Sequence, residues 1–81
     1  MIILPVQCRM ARAALGWGVK ELASTAKVSI DTVARFERGD ELKERTVEAI
    51  QRAFEARGIQ FFDENGGGLG VRLRKVPKRK A

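Results

Sequence analysis

Histidine is absent from this 81-residue chain, and cysteine occurs only once, at Cys8. The sequence also has no paired carboxylate motif and no cluster of metal-ligating residues, so general acid–base and metal chemistry have no candidate groups. We therefore expect no enzymatic activity, no metal site and no cofactor. The single cysteine excludes a disulfide within the chain and a cysteine-based metal cluster, and it is typical of a reducing compartment.

Long apolar runs are also absent from the chain. No segment approaches the roughly 18 consecutive apolar residues that a membrane-spanning helix needs. The apolar start, Met1–Val6, is too short for a secretory signal and has no charged residue before it. We therefore expect a cytoplasmic protein with no membrane partner.

Positive charge is in excess, with a formal net charge of +6. This excess favours a polyanionic partner, because lysine and arginine release phosphate counterions when they bind nucleic acid. Residues 1–58 carry a net charge of +2 and residues 59–81 a net charge of +4. The basic end, residues 75–81, is predicted to be a disordered tail, and the alternative is an arm that contacts phosphates without reading sequence.

Apolar spacing and terminating residues predict four helices and then two strands. Pro5 suits the first turn of a helix, Ser29 is placed to cap another, and Gly16, Gly39 and Gly58 are natural stops. The helices are expected near residues 5–15, 18–26, 30–38 and 44–57, and the strands near residues 59–63 and 69–74. The buried stripe of the first helix is expected to contain Cys8, Met10, Ala11 and Leu15.

The predicted fold is therefore mainly α, with a four-helix domain at residues 1–58. A β-hairpin at residues 59–74 follows it, because the period of the apolar residues changes to alternation around a glycine-rich turn. The tail at residues 75–81 completes the chain.

The segment Gly16–Gly39 has the spacing of a DNA-reading helix-turn-helix. Its inward positions are Leu22, Ala23, Val28, Val33 and Phe36. Four outward positions of its second helix would meet base edges in a major groove: Ile30, Asp31, Thr32 and Arg35. Arginine can donate to guanine, threonine and isoleucine can contact a thymine methyl, and aspartate can accept from cytosine. The alternative is a solvated helix face, but an outward Ile30 favours the DNA-reading interpretation.

The chain resembles the Cro/repressor-type family of helix-turn-helix regulators, also called the xenobiotic-response-element family. The resemblance covers about residues 7–57 and is carried by Arg12, Gly16-Trp17, Glu21-Leu22-Ala23, Val28-Ser29, Val33 and Phe36-Glu37-Arg38-Gly39. It implies a compact helical domain that binds double-stranded DNA, commonly as a dimer on a palindromic operator. It also implies an ion pair between Arg12 and Glu37 that joins the first and third helices.

The family layout adds a band of phosphate contacts around the reading helix. Its candidate members are Arg9, Lys20, Lys27, Ser29, Arg38 and Lys43. The chain departs from the family at Gly18 and Val19, where a polar residue and a glutamine are common, so this backbone anchor is weakened. Lys27 stands where glycine is common, and because a left-handed lysine costs about 1 kcal/mol, we expect a turn of a different type.

The hairpin is the candidate dimerisation element. Phe62 alternates with Ile59 and Phe61, so it points away from the face that they bury, and a two-stranded hairpin has open edges. Phe62, Val71 and Leu73 are assigned to the interface of a homodimer, and the alternative is a simple lid on the core. The leading functional prediction is a sequence-specific transcriptional regulator. The alternative is an antitoxin, or another protein-interaction module, on the same fold.

Overall fold

The computed structural model describes residues 2–63 and 67–74. Over these residues the predicted fold class is confirmed, since four helices precede a two-stranded antiparallel sheet. The elements are α1 (Pro5–Leu15), α2 (Val19–Ala26), α3 (Ile30–Glu37), α4 (Glu44–Glu55), β1 (Ile59–Phe62) and β2 (Gly70–Leu73). The predicted tail at residues 75–81 lies outside the described residues.

Local chemistry accounts for the limits of α1. Pro5 occupies its first turn, where the missing backbone N–H costs no hydrogen bond. The Gln7 side chain accepts a hydrogen bond from the Leu4 backbone N–H at 2.9 Å. Gly16 ends the helix in the left-handed region at φ +69°, which glycine adopts without steric cost.

The first helix has its predicted bounds, whereas each of the other three is one or two residues shorter at one end than predicted. Gly18 is the N-cap of α2, with an extended backbone, and Arg38 is the C-cap of α3. Residues 56–58 form a turn after α4 where the sequence predicted helix. Helix ends fray into turns, so spacing alone places them only approximately.

The core lies between the helices and the inner face of the hairpin. Its buried apolar members are Ile3, Cys8, Ala11, Leu22, Ala23, Val33, Phe36, Val47, Ile50, Ala53, Phe54, Ile59 and Phe61. Two fully buried side chains, Ile3 and Gln7, were not predicted, and Met10, expected in the core, is exposed. Trp17 stacks on Phe54 at 5.7 Å between ring centroids and so joins the start of the helix-turn-helix to α4.

The hairpin closes the core on one side. Its register pairs Ile59 with Leu73 and Phe61 with Val71, so these four side chains share the inner face. The buried Gln7 side chain holds the hairpin to α1. The Gln7 Nε2 donates to the Phe62 carbonyl at 2.8 Å and to the Gly70 carbonyl at 3.3 Å. A buried amide that satisfies two strand carbonyls links the first helix to the last elements of the chain.

None of the helices in the described part of the chain is long and apolar enough to cross a membrane. Within the same residues, no group of three or more cysteine, aspartate or glutamate side chains could hold a metal ion.

Candidate nucleic-acid interface

The turn between α2 and α3 is left-handed at Lys27, with φ +61° and ψ +44°. The expectation of a different turn type is therefore wrong. The Lys27 N–H donates to the Ser24 carbonyl at 3.3 Å, and the Val28 N–H donates to the Ala23 carbonyl at 3.0 Å. These bonds satisfy the last carbonyls of α2 and offset the steric cost of a lysine at positive φ.

Ser29 caps the start of α3. Its Oγ accepts a hydrogen bond from the Thr32 backbone N–H at 2.9 Å and lies 2.7 Å from the Thr32 hydroxyl. Val33 and Phe36 are buried on the inner side of the helix. The cap and these two anchors fix both the start and the rotation of α3, and hence which residues it presents to the outside.

The outer side of α3 carries the four predicted base-reading residues. Ile30 is 51% exposed and Asp31 is also exposed, whereas Thr32 and Arg35 are half-buried. The Thr32 hydroxyl is engaged with Ser29, which leaves its methyl group as the free part of the side chain. An exposed isoleucine beside an aspartate and an arginine is a surface that offers both apolar and polar contacts.

Behind α3, Arg12 and Glu37 form the expected pair in a two-bond geometry. Arg12 Nε donates to Glu37 Oε2 and its second terminal nitrogen donates to Oε1, both at 2.7 Å. A further guanidinium nitrogen donates to the Trp17 carbonyl at 3.2 Å. The side chains are only 21% and 11% exposed, so the pair is largely shielded from water. It joins α1, the start of the helix-turn-helix and the end of α3.

Cys8 completes this group, since its Sγ donates to Glu37 Oε2 at 3.1 Å. Burial raises the pKa of the Cys8 thiol, and the hydrogen bond to the carboxylate raises it further. Burial acts to raise the pKa of Glu37 as well, but the hydrogen bonds from Arg12 and Cys8 outweigh burial and lower it overall. The hydrogen bond to Glu37 raises the pKa of Arg12. Charged carboxylate and protonated thiol are therefore the stable forms of this cluster.

A second, more open group lies at the other side of the end of α3. The Asp40 carboxylate oxygen Oδ2 accepts a hydrogen bond from an Arg38 terminal nitrogen at 3.1 Å and lies 3.6 Å from Arg35 Nε. Both arginines were predicted to contact DNA, whereas Asp40 was not among the predicted site residues. The only local signal was an aspartate directly after the Gly39 stop, two and five residues beyond the arginines.

The six predicted phosphate contacts fall into two sets. Lys20, Lys27 and Lys43 are exposed and form no ion pair within the described residues, whereas the others are already engaged. Arg9 donates from a terminal nitrogen to the Glu37 carbonyl at 2.6 Å, so it caps the end of α3 as well as carrying a charge. Ser29 is occupied by the cap, and Arg38 by Asp40.

The three predicted dimer residues lie on two faces of the hairpin. Val71 and Leu73 pack against the core of their own chain. Phe62 pairs with Gly70 and lies on the opposite face from Ile59 and Phe61, where the Arg72 guanidinium covers its ring at 4.6 Å from the centroid. Of the three, Phe62 is thus the one on the outer face, and it already has a partial cover from its own strand pair.

Comparison with known proteins adds no assignment, since no protein-family model matches the chain and no curated protein matches it either. The resemblance to repressor-type regulators therefore rests on the residues described above.

Proposed function

We propose that this protein is a transcriptional regulator that binds double-stranded DNA in a sequence-specific manner, with α3 in the major groove. The observation that carries the proposal is the outer face of α3, where Ile30 and Asp31 are exposed and Thr32 and Arg35 half-buried, on a short helix whose rotation is fixed by its buried residues. A solvated surface helix has no need of a half-exposed isoleucine at its first position, whereas a thymine methyl is a suitable partner for it.

Each outward side chain would have a separate role at the base edges. Arg35 would donate to guanine, and Ile30 and the Thr32 methyl would contact thymine methyl groups. Asp31 would accept from the cytosine amino group, because a carboxylate beside phosphates is otherwise repelled. These contacts would supply the sequence preference, and the surrounding cations would supply most of the affinity.

The exposed lysines are the simplest phosphate contacts. Lys20, Lys27 and Lys43 are charged, exposed and free of ion pairs within the described residues. Arg9 and Arg38 would add charge close to the end of α3. Each phosphate contact releases counterions, so binding would weaken steeply with added salt.

The proposed regulator acts as a homodimer that includes the hairpin. Both strands of a two-stranded sheet are edge strands, so each has backbone groups that the sheet does not pair, and Phe62 lies on the face directed away from the core. Two-fold symmetry would place the two copies of α3 about 34–36 Å apart, or a multiple of that spacing, and would require an inverted-repeat operator.

Selection of DNA by the full chain from a random duplex library tests the proposal. We expect recovery of one inverted repeat, with protection of both half-sites in a footprint. Recovery of no preferred sequence would contradict the function, and protection of a single half-site by a monomer would contradict the dimer.

The hairpin contact is tested separately by Phe62→Asp, with Gln60→Asp as the matched control on the same outer face. In sedimentation we expect Phe62→Asp to move the protein toward monomer, while Gln60→Asp stays close to the wild-type mass. An equal shift in both variants would indicate a general charge effect and would remove Phe62 from the interface.

A further inference from the structure

Asp40 owes its position to the backbone at the end of α3. Gly39 takes φ +99°, and the Asp40 N–H then donates to the Arg35 carbonyl at 2.9 Å. Backbone hydrogen bonds therefore place Asp40 next to the last turn of α3. The Asp40 side chain takes no part in these bonds, so changing the carboxylate leaves the C-terminal cap of the helix in place.

The Asp40 carboxylate faces two guanidinium groups of the proposed DNA-binding surface, one from the base-reading Arg35 and one from the phosphate-contact candidate Arg38. A single oxygen, Oδ2, lies 3.1 Å from an Arg38 terminal nitrogen and 3.6 Å from Arg35 Nε. The side chains of Arg35, Arg38 and Asp40 are 44%, 61% and 43% exposed, so water and solutes reach all three. A contact of this kind forms and breaks easily, in contrast to a shielded pair.

We propose that Asp40 is an internal counter-charge on the DNA-binding surface. This inference rests on the proposed function. In the free protein Asp40 binds the two arginines that DNA would engage, and a phosphate or a base edge has to displace it. Because phosphate oxygens and the carboxylate compete for the same donors, every duplex binds more weakly than it would without Asp40.

The geometry argues against the opposite role, in which Asp40 orients Arg35 for base reading. The 3.6 Å separation from Arg35 Nε is too long for a hydrogen bond, and the same oxygen is already hydrogen-bonded to Arg38. An orienting carboxylate would also make two bonds to its arginine, as Glu37 does with Arg12. The two roles predict opposite signs for the effect of removing the charge.

The test compares Asp40→Asn with Glu41→Gln in the full chain. Both substitutions remove one negative charge from neighbouring exposed positions, but Glu41 makes no ion pair within the described residues. The probe is a fluorescent 30-base-pair duplex of mixed sequence, with the dissociation constant measured by anisotropy at several salt concentrations. Circular dichroism melting checks that each variant is folded.

We expect Asp40→Asn to bind this duplex about threefold to tenfold more tightly than Glu41→Gln does, as the loss of two exposed ion pairs implies. In an Arg35→Ala, Arg38→Ala background the two variants should bind equally. Equal or weaker binding by Asp40→Asn in the native background would overturn the counter-charge and leave DNA binding intact. Failure of every variant to bind this duplex and those recovered by selection would overturn both proposals.

Discussion

Two arginine–carboxylate groups flank α3, and they differ in almost every physical property. Arg12 and Glu37 meet through two 2.7 Å hydrogen bonds, with side chains 21% and 11% exposed. Asp40 instead shares one oxygen between Arg35 and Arg38 at 3.6 and 3.1 Å, with all three side chains more than 40% exposed. The same chemical groups thus form a closed contact on one side of the helix and an open one on the other.

The difference shows that burial and additional hydrogen-bond partners decide whether an ion pair contributes to stability or remains free to exchange its partners. The closed pair also binds the Trp17 carbonyl and the Cys8 thiol, so loss of one member leaves several polar groups unsatisfied away from water. The open group can exchange its partners for water at little cost. We therefore expect the first to govern the stability of the domain and the second to govern DNA affinity.

The largest expected effect is on the closed pair. Arg12→Ala should lower the free energy of unfolding by about 2–3 kcal/mol, because it leaves a shielded carboxylate without its main partner. Urea unfolding of Arg12→Ala, Glu37→Ala and the double variant should give a coupling of roughly 0.5–3 kcal/mol. Arg45→Ala, an exposed arginine of α4, is the control and should change little. Additive effects would show that the pair does not hold α1 to α3.

The closed pair should also make the free energy of unfolding depend on pH in the acidic range. The pKa of Glu37 is lower in the folded chain than its ordinary value, because the hydrogen bonds from Arg12 and Cys8 outweigh burial. Its stabilisation is therefore complete above the ordinary glutamate pKa of about 4.3 and is lost as the pH falls through the lowered folded value. Urea unfolding of the wild type between pH 6 and pH 2 should show this loss. In Glu37→Gln the free energy of unfolding should fall less steeply over the same pH range. An unchanged pH dependence in this variant would show that Glu37 is not the group responsible.

On the open side, Arg35→Ala should act on DNA binding. We expect a loss of about 1–3 kcal/mol in affinity for the selected operator and relaxed preference at one position in each half-site. Competition binding against operators with single base changes measures both quantities. Arg52→Ala on α4 is the matched control. An equal loss for all sequences would reassign Arg35 to a phosphate contact.

Two substitutions at Lys27 should distinguish its effect on stability from its effect on DNA binding. Lys27→Gly should stabilise the domain by about 0.5–1 kcal/mol, since glycine adopts the left-handed region without the cost to a β-carbon. It should weaken DNA binding, because a positive charge is lost. Lys27→Ala keeps the strain and should weaken binding to the same extent with no gain in thermal stability. A stability gain in both variants would indicate that charge, not backbone strain, is the cause.

The smallest expected effect is that of Asp40→Asn on folding. Its free energy of unfolding should stay within about 0.5 kcal/mol of the wild type, since the ion pairs are exposed and the backbone cap remains. Thermal unfolding of Asp40→Asn and Glu37→Gln under the same conditions compares the two losses of stability directly. A loss as large as that of Glu37→Gln would erase the distinction between the two groups.

Local patterns predicted most of the helical architecture. Pro5 and Gly16 bound α1, and Ser29 caps α3, because each acts on backbone groups within one turn of itself. The apolar spacing of α4 likewise placed Ile50 and Phe54 in the core. The Lys27 turn was predicted wrongly. A lysine at positive φ has only a modest steric cost, and the packing of α2 against α3 outweighs it.

Contacts between distant segments could not be predicted from local sequence patterns. Ile3 lies before the first helix and follows no periodic pattern, yet it is fully buried, whereas Met10 is exposed. The polar Gln7 is buried because its amide meets carbonyls more than fifty residues away, on the hairpin. Spacing within one helix cannot indicate which of its sides another element will cover.

Sequence alone determined the elements of this protein and the residue types on each face of α3, because helix caps, stops and apolar periodicity act over a few residues. Only the tertiary structure decided how the charges are used. Arg9 caps a carbonyl at the end of α3, and Asp40 faces two arginines of the proposed DNA-binding surface. Ion pairing depends on distances and burial that arise when the helices pack, and the sequence carries the charges without specifying which of them meet.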